Sequence, residues 1–107
     1  MATLITGGAG FVGLEVARQL LDAGETDITV FSRNPSPTRL GDLTGRVTAV
    51  AGDVGNFSHL LDVVKASRAE VIYHLGAMLT APSDIDPASA IQTNAMGTFY
   101  VLEAARL

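Results

Sequence analysis

The sequence predicts an α/β fold: a doubly wound parallel sheet of about four strands in the order 3-2-1-4, incomplete because such sheets usually continue past the fourth strand. Three observations carry this. Short apolar runs alternate with segments of helical period along the whole chain. The resulting order, β-α-β-loop-β-α-β-α, demands parallel strands joined by crossover helices on both faces. A glycine-rich turn stands at the first strand-to-helix junction, where such folds bind their ligands.

Each element has a local reason. Ala2 to Thr6 (ATLIT) is a short apolar run, as a strand buried on both faces requires. Gly7-Gly8-Ala9-Gly10 breaks it. From Phe11 to Ala23 the period is helical, with Val12, Val16 and Leu20 in one row and Ala17 and Leu21 in the next. Gly24 stands where a helix C-cap glycine belongs. Ile28 to Phe31 is a second strand, and Ser32 to Gly45 a loop with one helical turn near Thr38 to Leu43. Val47 to Val50 is the third strand, stopped by Gly52-Asp53; Ser58 to Ala66 is a helix burying Leu60, Leu61 and Val64. Val71 to Leu75 is the fourth strand, followed by a loop holding Pro82 and Pro87, with Met78 and Leu79 as packing residues beside the cleft. The last helix starts at Asp86-Pro87, a capping acid before a first-turn proline, and runs to about Arg106 with Ile91, Ala95, Phe99 and Leu102 near one face.

Composition narrows the function. The 107 residues are 48% hydrophobic and 17% charged, which excludes a disordered chain and fits one domain, residues 1–107, burying about two-thirds of its unfolded surface. Without cysteine there is no disulfide framework, Cys-based zinc site or thiol chemistry. A net charge of −4 argues against a nucleic-acid face. No window approaches the roughly 18 apolar residues of a membrane span, and Met1 leads straight into a strand rather than a signal peptide. The expectation is a soluble, cytoplasmic protein with neither membrane nor nucleic-acid partner.

The glycine turn is the most informative segment. Thr6 to Gly13 (TGGAGFVG) fits G-x-x-G-x-x-G at Gly7, Gly10 and Gly13, and G-x-G-x-x-G at Gly8, Gly10 and Gly13. After a strand and before a helix, this spacing predicts a dinucleotide site. The early glycines allow the tight turn, Gly10 lets the backbone approach a pyrophosphate, and Gly13 lets the helix pack close to the strand. Free N–H groups of the helix start then face the anion. The competing reading is a tight turn that binds nothing; a Walker-type loop is a poorer alternative, since no Gly-Lys-Ser/Thr follows.

An NAD site usually ends its second strand on an acidic residue. Here the strand ends Phe31-Ser32-Arg33-Asn34, so the expected cofactor is NADP, with NAD as the alternative: Arg33 pairs with a 2′-phosphate, Ser32 donates to it and Arg39 assists. The plain alternative for Arg33 is a solvated arginine. Asp53, in Gly52-Asp53-Val54, can accept from an adenine amino group while Val54 packs on the ring, or it can simply be a turn or N-cap aspartate. His74 reads as a hydrogen-bonded core histidine because no second metal ligand has suitable spacing, and His59 as solvated. Asn94 is a poor helix former in mid-helix, which points to a tertiary hydrogen bond near the cofactor or to a solvent-facing side chain.

With these residues in hand, the sequence resembles the extended short-chain dehydrogenase/reductase family, the NAD-dependent epimerase/dehydratases. Thr6 to Gly13 is similar to its Thr-Gly-Gly-x-Gly-Phe-Ile/Val-Gly nucleotide loop, which adds Phe11 and Val12 to the expected cofactor contacts. Gly52-Asp53-Val54 resembles its Gly-Asp-hydrophobic adenine contact. Tyr73 to Ala77 (YHLGA) resembles its His-Leu-Ala-Ala strand end, implying that the backbone of Leu75, Gly76 and Ala77 lines the cofactor cleft. Thr93 to Thr98 (TNAMGT) resembles its Asn-Val-x-Gly-Thr helix, implying a cofactor-side role for Asn94. Gly76 stands for the usual alanine and Ala95 for the usual valine. The family's Tyr-x-x-x-Lys pair is not found: Tyr73 is followed by Ala77, Tyr100 by Ala104, and the sole lysine is Lys65. The resemblance therefore implies the N-terminal cofactor-binding portion of a longer, homo-oligomeric oxidoreductase or sugar-nucleotide epimerase/dehydratase that moves a hydride at a carbinol carbon of a small molecule such as a nucleotide sugar. No catalytic or metal-ligating residue is expected in this portion. A non-catalytic dinucleotide sensor or interaction module is the alternative.

Overall fold

In the computed structural model, which describes residues 1–77 and 85–107, four parallel strands lie in the order β3-β2-β1-β4. They are β1 (Thr3–Thr6), β2 (Ile28–Ser32), β3 (Thr48–Ala51) and β4 (Val71–His74). The order and parallel sense are those the sequence predicts. Helix α1 (Phe11–Asp22) links β1 to β2, and α3 (Phe57–Ser67) links β3 to β4. Between β2 and β3 the expected turn is present as the short helix α2 (Pro37–Leu40), capped by Ser36, and a 3₁₀ turn at Gly41–Leu43. The last helix has three parts: α4 (Pro87–Ala90), a π-helical stretch (Ile91–Met96) and α5 (Gly97–Arg106). Met78, Leu79 and Pro82 lie outside the described residues.

Alternation along the central strands sorts the core into two layers. Ile5, paired in register with Val30, faces α1 and joins Ala17, Ile28, Leu40 and Leu43. Leu4 and Phe31 face the other way and join Leu60 and Val63 of α3 and Val101 of α5. Full burial of Phe31, Leu4 and Ile5 stabilises the fold by about 1.5–3 kcal/mol each.

Three faces differ from the sequence reading. In α3 Leu60 is buried as expected, but its buried partner is Val63, and Leu61 and Val64 are only partly buried. The α1 row expected to begin at Val12 does not: Val12 is exposed, and the buried contacts of the helix are Gly13 and Ala17, flanked by Leu14, Val16, Leu20 and Leu21. In the last helix the apolar face is reversed. Ile91, Phe99 and Leu102 are 63%, 53% and 66% exposed, whereas Thr93, Gly97, Val101 and Ala104 are buried. The buried set keeps the expected spacing but is shifted by two residues, so the smaller side chains rather than the larger ones face the sheet.

The ladder runs past the strand ends at one edge. Gly7 N–H donates to the Phe31 carbonyl (2.8 Å), Gly52 N–H to Ser32 (2.9 Å) and Leu75 N–H to Thr6 (3.1 Å). The loops leaving β1, β3 and β4 therefore start in fixed positions along the carboxyl edge of the sheet.

Candidate functional site

A cavity of about 510 Å³ opens along that edge. Its floor is the glycine turn. Gly7 adopts φ +68°, and a Cβ there would stand 2.8 Å from the Leu75–Gly76 peptide, so glycine is required on both counts. A Cβ on Gly13 would overlap the Gly7 carbonyl oxygen and stand 2.6 Å from Gly8 Cα, which is what brings α1 down onto the turn. Gly10 is less confined: a Cβ there would meet only the Gly7 oxygen, at 3.3 Å, a tight contact that asks a few tenths of an ångström of the turn.

Gly10 is also the N-cap of α1 and offers no side chain to the helix start. The N–H groups of the first turn have no acceptor within their own helix. No acidic residue occupies that turn. The positive end of the helix dipole thus faces the cavity unneutralised. Phe11 (94% exposed) and Val12 stand beside it on the cavity rim.

The remaining walls come from three other loops. Ser32, Arg33 and Arg39 line the side beyond β2; Gly52 and Val54 line the end of β3. Leu75, Gly76 and Ala77 form the wall after β4, and Thr93 reaches in from the last helix. The structure thus gathers every residue expected from the sequence except Asp53 and Asn94. Asn94 is exposed and outside the lining; its neighbour Thr93, buried, takes the place on the cavity. Phe31, Gly52 and Thr93 were not among the expected site residues. Phe31 and Gly52 abut expected positions, and Thr93 lies on the buried face of the last helix, two residues from the row of large apolar residues that the periodicity marks.

Asp53 serves two local bonds. Its Oδ1 accepts the Gly55 N–H at 2.8 Å, the turn role weighed above, and its Oδ2 lies 3.5 Å from Arg33 Nη2. The same Nη2 donates to Thr93 Oγ1 at 3.1 Å. Arg33 is therefore not simply solvated: it joins the ends of β2 and β3 to the last helix. Both partners of the ion pair are half exposed, so the pair contributes little stability. A guanidinium has five N–H groups, leaving capacity for an anion beside these contacts.

Thr6, the buried last residue of β1, holds the opposite wall. Its Oγ1 accepts the N–H groups of Leu75 (3.0 Å) and Gly76 (3.1 Å) and lies 2.6 Å from His74 Nδ1. His74 Nε2 lies 3.1 Å from Thr98 Oγ1. His74 is hydrogen-bonded as the sequence predicts, but it is half-buried at the strand end rather than in the core, and burial holds its pKa below the ordinary 6.5. His59 departs from expectation: it is half-buried, with its ring edge-on to Phe31 at 5.5 Å. Among the described residues no group of acids and histidines is arranged to hold a metal ion.

The chain matches the family model described as GDP-mannose 4,6 dehydratase over residues 4–107. It is 32% identical to a dTDP-glucose 4,6-dehydratase of Shigella flexneri, covering 99% of this chain and 31% of that protein. It is likewise 32% identical to a UDP-glucose 4-epimerase of Erwinia amylovora, covering 99% of this chain and 33% of the relative. Among solved structures, the UDP-glucose 4-epimerase of Thermus thermophilus in complex with NAD superposes with a TM-score of 0.85 at 26% identity, over 99% of this chain and 34% of that one. The chain spans about a third of the length of the curated relatives it matches.

Proposed function

The chain belongs to the extended short-chain dehydrogenase/reductase family, in the group described by GDP-mannose 4,6 dehydratase, and on that premise we propose that it is the NAD(P)-binding, N-terminal portion of an oxidoreductase or sugar-nucleotide epimerase/dehydratase. The observation that carries this reading is the β1–α1 junction: an uncapped helix start behind Gly10, over a cavity whose far side holds Arg33 and Arg39. These donors fit a dinucleotide. Gly10 leaves room where packing does not require it, and the first-turn N–H groups are oriented to receive a pyrophosphate.

In this reading Val54 supplies an apolar face for adenine, and the Leu75–Ala77 backbone walls the half of the cavity nearer β4. Ser32 and Arg33 take a 2′-phosphate, with Arg39 behind them, so NADP is the preferred cofactor and NAD the weaker one. When bound, the nicotinamide exchanges a hydride with a carbinol carbon, and the protein binds, orients and excludes water. The relatives' names support a nucleotide sugar as the substrate. We read the whole enzyme as a cytoplasmic homo-oligomer; no helix among the described residues is long and apolar enough to cross a membrane. Calorimetric titration with NADP and NAD tests the proposal: saturable binding of both, tighter for NADP, is the expected result, and no binding of either would refute it.

A further inference from the structure

The hydroxyl of Thr6 has two acceptor lone pairs and one proton. Both lone pairs face N–H groups, that of Gly76 and that of Leu75, which is shared with the Thr6 carbonyl at 3.1 Å; this directs the hydroxyl proton at the remaining neighbour, His74 Nδ1, 2.6 Å away. Nδ1 is then the unprotonated nitrogen, and Nε2 carries the hydrogen. Nε2–H donates to Thr98 Oγ1 at 3.1 Å, and Thr98 passes its own proton to the Asn94 carbonyl at 2.8 Å. Every proton in this chain runs one way, from β1 through His74 to the last helix.

We propose that His74 is a positioning residue of the dinucleotide cavity: fixed as its Nε2–H tautomer between Thr6 and Thr98, it holds the Leu75–Gly76 wall and the Thr93-bearing helix in place against the glycine turn, and its protonation releases them. The proposal rests on the dinucleotide reading of the cavity. A second proton on His74 would point an Nδ1–H at an oxygen whose lone pairs are full. The Thr6 hydroxyl must then give up Gly76, or else Leu75, which keeps its bond to the Thr6 carbonyl; the Leu75–Gly76 peptide lies against Gly7 at the cavity floor. From β1 and α5 the groups facing the ring are the neutral hydroxyls of Thr6 and Thr98. Burial displaces its titration downward.

Two measurements test this on the full chain. Long-range ¹H–¹⁵N correlation of ¹⁵N-histidine protein should show His74 as the Nε2–H tautomer near neutral pH, with His59, the other of the two histidines, as the internal reference; an Nδ1–H tautomer or an even mixture would overturn the proposal. Dissociation constants for NAD and NADP are then compared between about pH 8 and about pH 5.5, a range that spans histidine titration. Wild type should lose about tenfold in affinity on acidification, the worth of one net hydrogen bond, beyond any loss seen in H74N. H74N keeps an acceptor for Thr6 but does not titrate, and H74L, which strands the Thr6 proton, should bind more weakly than H74N at both pH values. The ligands' own titration is common to all variants and cancels in the ratio. A ratio of wild type to H74N that stays flat with pH would overturn the positioning role alone; no binding by wild type at either pH would overturn the dinucleotide reading and this role with it.

Discussion

Single residues decide what the cavity accepts, and the glycines do not all act alike. Gly13→Val would drive side-chain atoms into the Gly7–Gly8 backbone and should cost about 1–3 kcal/mol of stability or more, read as a lowered denaturation midpoint. This agrees with the close helix packing expected of Gly13 from the sequence. At Gly10 a Cβ would meet only the Gly7 oxygen at 3.3 Å, far less obstruction than at Gly7 or Gly13, so its substitution is the one suited to separating binding from folding. Arg33 decides cofactor choice. Charge-assisted hydrogen bonds to a phosphate are worth about 1.5–3 kcal/mol, so Arg33→Asp should weaken NADP by about ten- to a hundredfold while changing NAD far less. The check is a pair of dissociation constants for each protein, and an NADP affinity unaltered by the substitution would refute the assignment. The residue types around the cavity were legible in the sequence because glycine spacing and strand ends mark them. The partners of Arg33 were not: Asp53 and Thr93 are 20 and 60 residues away, and only the folded sheet brings them to one guanidinium.

At the scale of elements, the last helix is where periodicity and packing part. Large apolar residues mark the Ile91–Ala95–Phe99–Leu102 face, yet the sheet receives the smaller Thr93, Gly97, Val101 and Ala104. Gly97 shows why: a Cβ there would stand 2.8 Å from Val54 Cγ2, so the helix can lie this close only without one. Gly97→Val is expected to destabilise by about 1–3 kcal/mol, whereas Phe99→Gln and Leu102→Gln should stay within about 0.5 kcal/mol by chemical denaturation. The opposite ranking would restore the face expected from the sequence. The central strands were readable because their apolar runs are buried on both faces; in the last helix the close approach at Gly97 selects small residues, which an apolar pattern does not mark. The junction of β1, β4 and α5 also sets a pH dependence. Burial holds His74 below 6.5, so the unfolded chain binds a proton that the fold resists. Stability is therefore complete above that value and declines as pH falls through the lowered one, and H74N should flatten this part of the Tm–pH curve.

Among the described residues the sheet is covered on both faces and open at its edges. β3 and β4 are the outer strands, and near β4 lie half-exposed Tyr73 and Leu75 and the exposed face of the last helix. Unpaired strand edges and apolar surface of this kind recruit other chains. Concentration-dependent self-association is expected in sedimentation, reduced by Phe99→Glu with Leu102→Glu if the helix face contributes, and a monomer at all concentrations would contradict it. Across the molecule, the carboxyl ends of β1, β2, β3 and β4 and one helix start converge on a single cavity, and the account stands or falls on what enters it. The most direct test is calorimetric titration of NADP into wild type and Gly10→Val, with circular dichroism confirming that both are folded. The account predicts saturable binding to wild type and none measurable to the folded variant, because the side chain occupies the approach to the first-turn N–H groups; equal affinity in both would show that the helix start behind Gly10 does not hold the pyrophosphate.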